Sequence, residues 1–338
     1  MIFFKLFILI LCASGAGWAG LELSNFSRYR IIYNKGVEAL STGNFKMAEK
    51  AFKKVFHLAP DMEENTYNLG LTYFRMNKLE LALQFFMTTL ELNPKEVDAY
   101  YNIGLIHYLR NKKKETIKYF NQILELSDKT DEQTLFGVAT VYVEIQNYDL
   151  GIEAVKKLIE TSPSSVDYRM MMADIYEKII ADTGNIQSFD FLIQTYKDVL
   201  LLDEEFEPAN IKLANCYAKL GQTENCKDIC ARILKKNTKC ADALFLMGIM
   251  DFAIRQYQTA ASFFEQAFAA KSGLKQAYLS AAHCYRLMGN PQKAKDLWEQ
   301  FKSKASSADI TESSEQLFDY EEVKEEDSED TEEITTKR

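Results

Sequence analysis

The chain has 338 residues, 47% of them hydrophobic, and carries only 5 Pro and 14 Gly. Few breakers among many Leu, Ala, Glu and Lys favour helix throughout, and argue against a strand-built fold. The net charge is −9, but thirteen Asp or Glu against three Lys or Arg fall between Ser307 and Arg338, a net of −10 that leaves the rest at +1; such a body excludes nucleic acid as the expected partner.

Met1 to Gly20 reads MIFFKLFILILCASGAGWAG. Lys5 precedes the apolar run Leu6 to Cys12, and small residues follow, the order of a secretory leader. Ser14-Gly15-Ala16 and Gly17-Trp18-Ala19 both offer small residues before a cut. Leu6 to Ala19 is 14 residues, short of the roughly 20 that span a bilayer. The expected layout is a leader over 1–19 and a short linker over 20–28. A retained anchor stays open, as does a lipid on Cys12, where Leu9-Ile10-Leu11-Cys12 resembles a lipobox except for bulky Leu11.

From residue 29 the chain repeats itself, which overrides the two-domain expectation that length alone would give. Gly36, Gly70 and Gly104 recur at intervals of 34, as do Ala48 and Ala82, Phe52, Phe86 and Phe120, and Pro60 and Pro94; YNKG, YNLG and YNIG stand at one phase. With Gly36 as the eighth position of a unit, Ala48 is the twentieth, Phe52 the twenty-fourth and Pro60 the thirty-second. Ala139, Tyr142, Tyr148 and Pro163 then mark a fourth unit, Ala173 and Tyr176 a fifth, and Ala214, Tyr217 and Gly221 a sixth. Gly248, Ala260 and Phe264 mark a seventh; Ala282, Tyr285, Gly289, Ala294 and Trp298 mark an eighth.

This pattern resembles the tetratricopeptide repeat (TPR) family. The resemblance implies an all-α fold, an α-solenoid forming a right-handed superhelix of about eight helix-turn-helix units. The expected units lie near 29–62, 63–96, 97–131, 132–165, 166–206, 207–240, 241–274 and 275–303. Small residues at positions 8 and 20 let antiparallel helices approach, and larger ones at 11 and 24 fill the space beside that contact. Thr42-Gly43-Asn44, Met76-Asn77-Lys78, Leu220-Gly221-Gln222 and Met288-Gly289-Asn290 supply turns within units, and the Pro at position 32 follows the second helix. One unit cannot bury its own apolar face, so stacking is obligatory. The fourth unit starts one residue late. The fifth carries about seven extra residues in Ala181 to Ser188, between helices expected at 170–180 and 189–202; this insertion is either a partner contact or a tolerated projection.

As in the family, the first helix of each unit is expected to line a concave face, with positions 2, 5, 9, 12 and 13 pointing inward. That assigns Tyr33, Tyr67, Phe74, Arg75, Tyr101, Tyr108 and Phe136 to one aromatic stretch, with Leu40, Leu71, Leu105 and Val143 beside them. Asp167, Asp174, Glu177, Lys178, Asn215 and Lys219 form a polar waist, beyond which stand Phe245, Ile249, Phe252, His283 and Arg286. Such a ladder suits an extended or helical peptide with apolar anchors; ordinary packing is the competing reading of the same tyrosines. The chain departs from family members that clamp a C-terminal carboxylate with inward Lys and Arg, having Tyr at the fifth and Val or Leu at the ninth positions of its first three units.

Nothing else points to chemistry. His57, His107 and His283 lie in different units, and His107 stands where a packed aromatic is usual. No Gly-rich phosphate loop, nucleophile elbow or HExxH occurs, and Glu204 and Glu205 read as solvated surface, so neither catalysis nor a cofactor is expected. Lys112, Lys113 and Lys114 read as a solvated helix turn. Cys216, Cys226, Cys230, Cys240 and Cys284 match no zinc ribbon or CxxC pair. Buried thiols are the expectation, and a bridge from Cys216 to Cys226 or Cys230 is the alternative in an oxidising compartment. The segment 304–338 is expected to be an acidic disordered tail with one apolar cluster, Leu317-Phe318-Asp319-Tyr320.

The sequence therefore reads as a non-catalytic scaffold that binds other proteins or peptide segments. The leader points to an exported, periplasmic or membrane-tethered adaptor in an envelope-assembly, secretion or pilus complex, with any membrane contact made through an uncleaved or lipidated leader alone. The alternatives are a regulatory or structural subunit of an enzyme complex and, given the thiols, a cytoplasmic location.

Overall fold

The computed structural model describes residues 29–304 except 127 and 129. The leader and linker expected over 1–28, and the tail beyond 304 with its Leu-Phe-Asp-Tyr cluster, lie outside the described residues. Within them there are sixteen α-helices and no strand, and none of these helices is long and apolar enough to cross a membrane. The fold is an all-α solenoid.

The helices come in pairs. Helix α1 covers 29–41, followed by α2 (Phe45–Leu58), α3 (Glu63–Arg75), α4 (Leu79–Leu92), α5 (Val97–Leu109), α6 (Lys113–Glu125), α7 (Glu132–Glu144) and α8 (Tyr148–Thr161). Then come α9 (Val166–Thr183), α10 (Ser188–Leu202), α11 (Glu207–Lys219), α12 (Thr223–Lys236), α13 (Ala241–Ala253), α14 (Tyr257–Ala270), α15 (Lys275–Leu287) and α16 (Pro291–Lys304). Odd-numbered helices open a pair and even-numbered helices close it. The turn inside each pair needs one residue in the left-handed backbone region, supplied by Gly43, Gly221 and Gly289 but also by Asn77, Asn111, Gln146 and Arg255. Asn44 and Asn147 cap the helices that follow, their side chains accepting from the backbone N–H of Met47 and Leu150.

The described residues fall into two compact units that divide between Ile175 and Tyr176, inside α9. In the first, Ala48, Phe52, Leu69, Tyr73, Ala82, Phe86, Ile103 and Ile106 share one buried cluster. In the second, Ala260, Phe264, Ala281, Ala282, Tyr285, Ala294, Trp298 and Phe301 do the same. The spacing of the repeat follows from a close approach that the sequence only half reveals. The twenty-fourth-position ring does not stand beside the small eighth residue; it lies directly on it. A Cβ added to Gly36, Gly70 or Gly248 would come within 2.6, 2.8 and 2.5 Å of the rings of Phe52, Phe86 and Phe264. Where the eighth residue is Ala139 or Ala214, the twenty-fourth shrinks to Val155 or Cys230.

A second pairing joins the eleventh position to the closing helix of the preceding pair. Tyr73 donates from its hydroxyl to Glu49 at 3.1 Å, and Asp251 accepts from Lys227 at 2.6 Å across the same two positions with the polarity reversed.

The insertion differs from its expected form. Helix α9 runs 18 residues, against 13 in most opening helices, so the extra residues mainly lengthen a helix rather than a loop. Only 184–187 separate it from α10, with Gly184 in the left-handed region. Helical propensity explains the difference: Ala181-Asp182-Thr183 contains no breaker before Gly184. The same pair places buried Leu192 where the other closing helices carry Ala, Thr, Gly or Cys.

Candidate functional site

On the opening helices of the first unit, the fifth-position tyrosines are half-buried. The ring of Tyr33 packs on Phe52 at 5.8 Å and that of Tyr67 on Phe86 at 5.6 Å, while Tyr101 stacks on Phe120 at 5.7 Å and 9°. The hydroxyls of Tyr33 and Tyr67 are held by the next pair of helices. Asn68 Nδ2 donates to Tyr33 Oη at 2.8 Å, and Asn102 Nδ2 to Tyr67 Oη at 3.2 Å, each across 35 residues. Tyr101 meets no asparagine. Gly137 stands at that place, and a Cβ there would lie 2.4 Å from Tyr101 Oη. The asparagines were visible in the YN-G signature, but nothing in one sequence links them to a tyrosine a whole unit away.

Burial raises the pKa of all three hydroxyls, and a carboxylate from the following pair adds to it: Glu64 for Tyr33, Asp98 for Tyr67, which is pushed up to about 12, and Asp131 for Tyr101. Asp98 is itself held above the usual carboxylate range, by burial and then by the charge of Asp131. These tyrosines are neutral hydrogen-bonding groups at any physiological pH. Tyr108 donates to Glu144, joining α5 to α7 along the same face.

The residues left open on these helices are different ones. Phe136 on α7 is 48% exposed, Leu109 on α5 is 60% exposed, and Arg75 and Glu64 are exposed as well. Leu109 occupies a thirteenth position, the register the family would turn inward. Phe74 is partly buried against the core.

In the second unit Phe245 packs on Phe264 at 5.4 Å, and Phe252 contacts both Tyr257 at 5.4 Å and His283 at 5.2 Å. Arg286 Nη2 lies 3.3 Å from His283 Nε2, and Arg286 Nε is buried with no hydrogen-bond partner. Burial and the neighbouring Arg286 push the pKa of His283 down. The polar waist is partly self-satisfied, since Lys212 donates to Glu177 at 2.6 Å and Tyr196 donates to it at 2.9 Å.

His107 stacks on Tyr119 at 5.4 Å with burial lowering its pKa, a packed group in keeping with its position. Lys112, Lys113 and Lys114 are exposed, and Glu205 pairs with Lys236 on an exposed turn. Cys216, Cys226, Cys230, Cys240 and Cys284 are buried free thiols, so the alternative bridge from Cys216 is not formed. Among the described residues no His, Cys, Asp or Glu cluster could hold a metal ion.

Models of the tetratricopeptide repeat match residues 29–62, 67–129, 209–238 and 276–307. The chain is a tetratricopeptide repeat protein. Its TPR architecture is shared with solved structures. A chain of the Naa15/Naa10 complex bound to HypK-THB is 14% identical with a TM-score of 0.61, covering 86% of this chain and 44% of its own. A TPR protein from Parabacteroides merdae is 18% identical over 75% of this chain and 97% of its own, with a TM-score of 0.42. MamA is 22% identical over 52% of this chain and 92% of its own, also at 0.42. At 14% identity the likeness to the first of these is one of fold. No curated protein matches the sequence.

Proposed function

We propose that this TPR protein is a non-catalytic scaffold whose opening helices hold segments of partner proteins. The observation that carries the reading is the pair Phe136 and Leu109, large apolar side chains on neighbouring opening helices that packing leaves open while the tyrosines around them are tied into the repeat. Exposed apolar groups on a helical face suit an apolar anchor of a bound peptide rather than a reacting group. We place the protein, from its leader-like first nineteen residues, outside the cytoplasm or tethered to a membrane, serving an envelope-assembly, secretion or pilus complex.

A photo-reactive residue at position 136 tests the face, with the same residue at Met87, which is 49% exposed on closing helix α4, as control. Crosslinks to a partner from 136 and none from 87 are expected. Equal crosslinking from both, or binding that survives Ala at Tyr67, Tyr101 and Phe136 together in a normally helical protein, would remove the face from the mechanism. Fractionation that finds the full-length chain only in cytosol would remove the location.

A further inference from the structure

Closing helix α2 stands apart in what it shows to solvent. Lys46, Lys50, Lys53 and Lys54 recur at helical spacing, so they share one side of the helix, and all four are exposed. Met47 at 53% and Leu58 at 54% exposure border that side, while Ala48, Phe52 and Val55 opposite it are wholly buried. Glu49, the one acidic residue of the helix, does not cancel the stripe. It accepts from Lys53 at 2.8 Å and from Tyr73 at 3.1 Å, and pairs with Lys78 at 3.8 Å. Lys46, Lys50 and Lys54 keep no carboxylate partner among the described residues. Helix α16 also carries four lysines but makes no such stripe: Lys293 and Lys302 are paired with Glu265 and Glu299, Asp296 and Glu299 stand exposed among them, and no large apolar side chain is open.

A row of unpaired ammonium groups bordered by apolar side chains is how a helix lies on an anionic bilayer. The ammonium groups meet lipid phosphates, and the apolar side chains enter the boundary between headgroups and acyl chains. The sequence also puts this charge at the end of the chain nearest a bilayer. Residues 29–62 hold six Lys or Arg against three Asp or Glu, whereas residues 63–96 hold three against five. The leader-like residues 1–19 are separated from α1 by only nine residues, a reach of about 30 Å at full extension.

We propose that α2 is a docking surface for an anionic bilayer, with Lys46, Lys50 and Lys54 at the phosphates of acidic lipids and Met47 and Leu58 in the interface. It adds a second membrane contact to the one expected of the leader. This contact needs from the proposed location only a bilayer close by, and it leaves the opening helices, where partners are held, free.

Lysine acylation of the full-length chain, read residue by residue by mass spectrometry, tests it. On vesicles of phosphatidylcholine with phosphatidylglycerol, Lys46, Lys50, Lys53 and Lys54 should react about tenfold more slowly than in the free protein, and exposed Lys295 at its ordinary rate. Vesicles of phosphatidylcholine alone should give no protection, whatever the leader does in them, and raised salt should abolish it on the anionic ones. With Lys46, Lys50 and Lys54 all changed to Gln, and helical circular dichroism unchanged, Lys53 should lose its protection. Equal protection on both kinds of vesicle, protection spread over all exposed lysines, or a Lys53 still protected in the triple variant would overturn the proposal. So would protection by soluble polyglutamate and none by vesicles, the mark of an acidic protein partner. Acylation of the purified chain does not depend on where the cell keeps it, so a failure here leaves the location to fractionation.

Discussion

The ring of Phe120 lies on the backbone of Gly104, so closely that a Cβ built there would stand 2.2 Å from its Cε1. The contact is with the side of the ring, and Phe120 is wholly buried, so it cannot swing away. Gly104→Ala should therefore cost about 1–3 kcal/mol through overpacking. Adding Phe120→Val should recover part of the loss, because Ala139 and Val155 make that combination in a neighbouring pair. Denaturant midpoints of the two variants decide it; a double variant weaker than Gly104→Ala alone would refute the account.

Asn102→Ala removes the donor to Tyr67 and leaves a half-buried hydroxyl without it. A loss of about 0.5–1.5 kcal/mol is expected, read from thermal or urea unfolding. Asn68→Ala should behave alike through Tyr33.

Asp251 is 4% exposed and accepts from Lys227 at 2.6 Å. Lys227→Met strands a buried carboxylate and should cost about 3–5 kcal/mol, whereas Lys227→Met with Asp251→Leu should cost much less because no charge is left behind. Comparing single and double variants by chemical denaturation checks this directly.

Burial, then the hydrogen bond and charge of Glu63, push the pKa of Glu96 up to about 7 from an ordinary 4.5, while Asn93 Nδ2 bridges the two carboxyls at 2.7 and 3.4 Å. The folded chain thus binds more protons than the unfolded one between those values. Its contribution to stability is full below 4.5 and is lost as pH rises through about 7. Glu96→Gln should flatten the pH dependence of the melting temperature over that interval; an unchanged slope would count against it.

The Cys226 and Cys230 thiols are buried, and Cys226 holds the position that is Ala48, Ala82, Ala260 and Ala294 elsewhere. Cys226→Ala should shift stability by less than about 1.5 kcal/mol, as a near-isosteric exchange in a tight site. A thiol reagent should modify the native protein slowly and the unfolded protein at once, which mass spectrometry can follow.

Much of this architecture was legible. Glycine, alanine, phenylalanine and proline recurring together at 34-residue intervals specify helix pairs, because only that period returns the same faces to the same neighbours. The site was less so. Tyr33, Tyr67 and Tyr101 read as an open ladder, yet their rings rest on closing-helix phenylalanines and their tips are held or crowded by residues one unit on. Periodicity reports which side of a helix a residue occupies, not how much of it the next helix covers. The lengthening of α9 and the Leu192 substitution also escaped, since an insertion breaks the register by which small positions are recognised.

The hydrogen bonds from Asn68 and Asn102, like that from Tyr108 to Glu144, reach 35 or 36 residues along the chain, the span of a single unit. Organisation of this kind is modular in folding as well as in form: structure can start at any adjacent pair of helices and spread outward, without waiting for distant ends to meet. Whole units can then be removed from or added to either terminus with the remainder still ordered, which makes stepwise truncation a practical way to weigh each unit's contribution.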